Sequence, residues 1–227
     1  LQFAAVQGSQ LIPWTEKKNG SAEMDTHVIT VTREFGSLGR LIARGVAEQL
    51  GYEYYDRDII ETAAEEIAEP VYELNEYDGH QYSKYGRMMF PLGYGIKSKQ
   101  KKLFEIEKKV ILDFATSKNC VIVGRCSDYI LKEAGLENVY SVFIYAPHPA
   151  RFNYCIKNLG LTNEAAEVYM EKVDKAREAF YIEHTGEKFH SLKYRNLLVD
   201  SSALPMEQTI DLICKGASMK FGQTGKL

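Results

Sequence analysis

The chain predicts an α/β fold in which a five-stranded parallel sheet is covered by helices on both faces, and three observations predict it. Strand-like and helix-like periods alternate along most of the sequence. The segments at 120–123 and 139–145 are nearly unbroken apolar runs, the pattern of strands buried on both faces. The first strand empties into a glycine-rich turn that opens directly onto an amphipathic helix, VITVTREFGSLGR followed by LIARGVAEQL.

Taken in order, 28–32 is the first strand, and 39–50 is a helix with Ile42, Val46 and Leu50 on one stripe. A short strand at 53–55 precedes a helix at 57–68, which Pro70 stops. The stretch 71–99, rich in Tyr and Gly, has no clean period. Helix returns at 103–117, with Leu103, Ile106, Val110, Ile111 and Phe114 as its buried face. After the apolar strands at 120–123 and 139–145, two helices are expected at 149–159 and 163–183, the second capped by Thr162. A last strand at 196–199 and a helix from 205 to 215, carrying Met206, Ile210 and Ile213, complete the alternation. In such a sheet ligands sit beyond the carboxyl ends of the strands.

At 227 residues, with 45% hydrophobic and 26% charged residues, the chain is long enough for one domain with a sizeable core. A net charge of −3 gives no footprint for a nucleic acid polymer or an anionic membrane. The lysines at 97, 99, 101 and 102 read as a solvated helix start. Cys120, Cys126, Cys155 and Cys214 are scattered, without metal-site spacing, and fit buried thiols in a reducing cytoplasmic setting. No apolar run approaches the ~20 residues that span a bilayer. Residues 1–23 are set aside as a leader or remnant, 24–220 as the domain, and 221–227 as a tail.

The glycine turn has the layout of a phosphate-binding loop, in which backbone N–H groups and the positive end of a helix dipole converge on an anion. Against G-x-x-x-x-G-K-[ST], Glu34 stands at the first Gly, Gly39 keeps the second, Arg40 replaces the Lys and Leu41 replaces the hydroxyl residue. Four strand ends bring groups that handle phosphate: Arg33 and Glu34 with the glycine turn after the first strand, Asp56, Arg57 and Asp58 after the second, Gly124 and Arg125 after the third, and Arg151 beyond the fourth. Asp174 and Arg177 share a face of the long helix. Each has a plainer reading. The turn serves equally as a tight corner, Arg125 as an ion-pair partner of Asp128 or Asp56, and Asp174 with Arg177 as a solvated face.

The segments TREFGSLGRLIARGVAEQLG, YYDRDII, VIVGRCSDYIL, VFIYAP with Arg151 beyond it, and KVDKAREAFYIEHTG leading to LLVDSS occur in that order. Together they resemble the cytidylate kinase-like family of P-loop nucleoside-monophosphate kinases. The resemblance implies a three-layer α/β/α P-loop NTPase fold, an NMP-binding insertion at 71–99 and lid-like helices at 149–186. It implies ATP as donor with Mg²⁺, and nucleotides as substrates. The donor's phosphates would be cradled by Gly36, Ser37, Leu38, Gly39, Arg40 and Leu41. Asp56, Arg57, Arg125, Asp174 and Arg177 would hold the acceptor, and Arg40, Arg151 and Arg177 would neutralise charge during transfer. Departures carry consequences. Cys126 replaces the Asp of the family's GR-D motif, so cytosine preference is not implied. Leu41 has no hydroxyl for Mg²⁺, which leaves phosphates, water and a carboxylate such as Asp56 or Asp58. Arg40 is fork-shaped and cannot place a single ammonium between two phosphates.

Three functional readings follow. One is ATP-dependent phosphoryl transfer to a small phosphorylated acceptor, a nucleoside monophosphate. Another is a non-catalytic sensor of a nucleotide or polyanion, motivated by Leu41 and Cys126. The third is a scaffold that forms a homodimer through the aromatic segment holding Tyr72, Tyr77, Tyr82, Tyr85, Phe90 and Tyr94.

Overall fold

The computed structural model describes residues 26–68 and 97–222. The segment expected as a leader and the aromatic segment with its tyrosines lie outside the described residues, as does most of the tail. Five strands form one parallel sheet: β1 (Val28–Arg33), β2 (Glu53–Tyr55), β3 (Cys120–Val123), β4 (Val139–Tyr145) and β5 (Leu197–Asp200). Their spatial order is β2-β3-β1-β4-β5. The chain leaves β1 toward one edge, returns through β3, and crosses β1 to build the other side. β1 therefore lies where the winding reverses, and a crevice opens beyond its carboxyl end.

Seven helices are seen among the described residues: α1 (Gly39–Leu50), α2 (Arg57–Ala68), α3 (Lys97–Ser117), α4 (Ser127–Glu133), α5 (His148–Lys157), α6 (Asn163–Thr185) and α7 (Met206–Lys220). Strand alternation sorts the core into two layers. Ile29, Val31, Val121, Val123, Val142 and Ile144 meet α1 and α7. Val28, Cys120, Ile122 and Phe143 face the opposite way, toward α2, α3 and α4. Thr30, buried between these apolar neighbours, is satisfied by the Ser141 hydroxyl at 2.9 Å. A third, smaller cluster joins α5 to α6 through Cys155, Ala166, Met170 and Val173, with Phe35 of the glycine turn inserted among them.

The sequence reading differs from this fold in instructive places. α4 was not anticipated, because seven residues span too few turns to show a period. α3 begins six residues before the expected 103, where lysines continue the helix without adding to its apolar stripe. β5 is displaced by one: Asn196 donates its N–H to the Ser141 carbonyl at 2.8 Å, but the Ser141 N–H is taken by the Asn196 side-chain oxygen, also at 2.8 Å. All four cysteines are free and buried. No helix among the described residues is long and apolar enough to cross a membrane.

Candidate phosphate-binding site

The loop from Glu34 to Leu38 is anchored from below. The Glu34 N–H continues the ladder to the Ile144 carbonyl at 3.1 Å. Ser37 is buried, and its hydroxyl donates inward to the carbonyls of Glu34 and Ile144 at 2.9 and 3.1 Å. That hydroxyl is therefore spent on the loop's own shape. Gly36 has a φ of +78°, and Leu38 adopts the left-handed region at +60° immediately before α1. The first N–H groups of α1 have no intrahelical acceptors, as at any helix start. Gly36 through Leu41 line a cavity of about 420 Å³, within the range of small-molecule sites.

Six arginines also line this cavity: Arg33, Arg40, Arg44, Arg57, Arg125 and Arg177. Three carboxylates, Glu34, Asp56 and Asp58, face them, so positive charge predominates. An apolar wall of Tyr154, Leu159, Phe180, Tyr181 and Phe189 closes the remainder.

Arg40, expected on the donor's phosphates, is turned onto Asp56 in a close ion pair and lies 3.2 Å from Asp58. Burial opposes its charge, but Asp56, Tyr54 and Asp58 together raise its guanidinium above the ordinary range. Asp56 is itself buried and caps α2, its second oxygen accepting from the N–H groups of Asp58 and Ile59 at 3.2 and 3.4 Å. It is thus already engaged by an arginine, by the helix start and by the Tyr54 hydroxyl at 3.4 Å.

Asp174 and Arg151 lie behind the loop and do not line the cavity. One Asp174 oxygen accepts from the Phe35 N–H at 2.8 Å, and the other is bound by Arg151. Arg151 also donates to the Phe35 carbonyl at 3.1 Å and approaches Glu34 at 3.6 Å. Arg177, one turn beyond Asp174, donates to the Arg33 carbonyl at 3.0 Å while bordering the cavity. Burial, partly offset by Asp174, brings its guanidinium down to about 10, so it stays charged at neutral pH. The D-x-x-R pair therefore divides between holding the loop and facing the cavity.

Arg125 is not paired with Asp128 or Asp56. It forms a buried pair with Glu107 of α3, lies 3.5 Å from Glu61, and stacks 4.5 Å over the Phe180 ring. Asp128 instead pairs with Arg195 and accepts from the Tyr181 hydroxyl at 3.1 Å. Arg57 leans on Glu61 at 3.3 Å. Cys126 is buried, and burial pushes its thiol up to about 12, so it presents no thiolate.

Sequence reasoning placed Arg33 among the phosphate-handling groups at the strand ends without giving it a role, and it passed over Glu61 and Glu107. The alternation of β1 places residue 33 on the same face as Ile29 and Val31, the α1 side, which was the available signal. For Glu107, the signal was a carboxylate inside the apolar stripe formed by Leu103, Val110 and Ile111. For Glu61 the sequence offered only its i,i+4 spacing from Arg57; its approach to Arg125 exists only once that residue arrives from β3.

The side chains do not fit a Mg²⁺ ion held by the protein. Leu41 is apolar, Ser37 is turned inward, and Asp56 is saturated by Arg40 and α2. No cluster of three or more metal-ligating side chains occurs among the described residues. The loop and its arginines are suited to anionic oxygens instead.

A model of the cytidylate kinase-like family matches residues 28–203. No curated protein sequence matches the chain. Among solved structures, an uncharacterized protein from Eubacterium ventriosum ATCC 27560 is similar with a TM-score of 0.65 at 20% identity, covering 85% of this chain and 99% of that one. A gluconokinase from Sinorhizobium meliloti 1021 is similar with a TM-score of 0.50 at 12% identity, covering 87% of this chain and 94% of the other. At these identities the likeness concerns the fold alone.

Proposed function

The chain belongs to the cytidylate kinase-like family, and from that premise we propose that it transfers the γ-phosphoryl group of ATP to a nucleoside monophosphate. Family and fold support a phosphotransferase. The observation that carries the finer reading is the cavity beyond β1, where a helix start and six arginines converge. One phosphate chain can be held by backbone N–H groups of 36–41, and a second phosphate by guanidinium groups opposite.

In this reading the donor lies on the loop, with its terminal phosphate toward Arg57 and Arg177. An oxygen of the acceptor's phosphate attacks the γ-phosphorus, the bond to the β,γ-bridging oxygen breaks, and ADP and a nucleoside diphosphate result. Arg177 neutralises charge at the reacting phosphate. Arg151 acts at one remove, as a positioning residue that holds Phe35 and so the loop. The apolar wall of Leu159 and Phe180 is where a base would rest. Closure of α5 and α6 over the site would exclude water and suppress hydrolysis.

The test is a panel of nucleoside monophosphates incubated with ATP and Mg²⁺, with ADP formation as readout. ADP that appears only when an acceptor is present supports the reading; no acceptor-dependent ADP with any member of the panel contradicts it. A specific pair of observations favours a second reading, an anion sensor without turnover. Leu41 is 46% exposed where a metal-holding hydroxyl would stand, and Arg40 is already matched by carboxylates. That reading predicts ATP binding of equal strength with and without Mg²⁺, and no transfer.

A further inference from the structure

We propose that Arg33, the last residue of β1, is the side-chain cation that grips the donor's phosphates, in the role the loop motif would have given to position 40. The inference rests on the site reading above and adds to it a residue outside the motif. Arg33 runs from the end of the strand across the mouth of the loop. Its path is cleared by two glycines. A Cβ on Gly39 would stand 2.5 Å from the Arg33 Cβ, and one on Gly124 would stand 2.4 Å from its Nη1. The side chain thus spans from the start of α1 to the end of β3, along the wall of the cavity.

Its electrostatic situation differs from that of its neighbours. Arg40 has Asp56 and Asp58, Arg57 has Glu61, Arg125 has Glu107, and Arg177 has Asp174 at 3.6 Å. Arg44 has no ion pair among the described residues but is exposed, lying 5.2 Å over the Tyr54 ring. Arg33 is only partly accessible, and no carboxylate pairs with it among the described residues. Burial, followed by repulsion from Arg177 and then from Arg57 and Arg40, outweighs the opposing influence of Tyr54 and pushes its guanidinium well below the ordinary arginine range. A half-buried cation among like charges is costly unless an anion completes it. The anion that fits beside a helix start and a row of N–H groups is a phosphate chain.

The experiment is calorimetric titration of the full chain with inorganic tripolyphosphate and with ATP, on the wild type, R33Q, R33K and R40Q, together with melting of each unliganded protein. The expected result is a loss of at least tenfold in affinity for both ligands in R33Q, a smaller loss in R33K, and a smaller loss still in R40Q. Unliganded R33Q should melt at or above the wild-type temperature, because a charge without a partner has been removed. Equal binding by R33Q and wild type would overturn the inference, as would a loss in R40Q matching that in R33Q. A large fall in the melting temperature of unliganded R33Q, or failure of R33Q to fold, would make Arg33 a structural residue and overturn it too. Wild type that binds neither ligand would instead remove the site reading on which the inference stands.

Discussion

Glu61 stands between two arginines, 3.3 Å from Arg57 and 3.5 Å from Arg125. Desolvation nonetheless wins over their attraction and raises its carboxyl to about 7, with Glu107 and Asp58 adding repulsion. A folded pKa above the unfolded value of 4.5 means that folding takes up a proton between those values. Stability from this group is fully present at low pH and declines as pH rises from about 4.5 through 7. Urea denaturation at pH 5 and pH 8 should therefore show a fall in midpoint for the wild type that is reduced in E61Q. An unchanged pH dependence in E61Q would contradict the assignment. Glu61 also explains why single residues were the hardest part of the site to read from sequence. Arg33 could be found by strand parity, whereas Glu61 acquires its second partner, Arg125, only through the meeting of α2 with the end of β3.

The glycine turn draws its shape from other elements more than from its own residues. Asp174 of α6 accepts from Phe35, Arg151 of α5 donates to the same residue, and Phe35 fills the apolar cluster between those helices. Removing the Asp174 carboxylate would free one loop N–H and leave two arginines without their shared partner. D174A should lower stability by about 2 kcal/mol and weaken tripolyphosphate binding several-fold. Unfolding curves and calorimetry check the two effects, and a variant that loses neither would show that the clamp is incidental. The elements themselves were largely legible. Ile42, Val46 and Leu50 announced α1, and the CVIV and VYSVFIY runs announced β3 and β4. The Thr162 cap is seen as expected, its hydroxyl accepting from the Ala165 N–H at 3.2 Å. What the elements do to one another was not legible, because Asp174 and Arg151 read as ligand-facing until tertiary packing placed them behind the loop.

At the scale of the whole molecule, the winding of the sheet makes the site. With β1 between β3 and β4, the loop after β1, Gly124-Arg125 after β3 and Tyr154 of α5 surround one cavity. The alternation of periods in the sequence was enough to foresee a parallel sheet with its ligand edge at the strand ends. The crossing of β1 was not contained in that alternation. It arises from long-range pairing, Val28 with both Cys120 and Val139. The whole account turns on this edge of the sheet being a cradle for a phosphate chain. The most direct measurement is a crystal structure of the full chain with a non-hydrolysable ATP analogue. The phosphates should lie against the backbone N–H groups of 36–41 with the Arg33 guanidinium on their oxygens. Phosphates bound elsewhere on the molecule, with the loop empty, would contradict it.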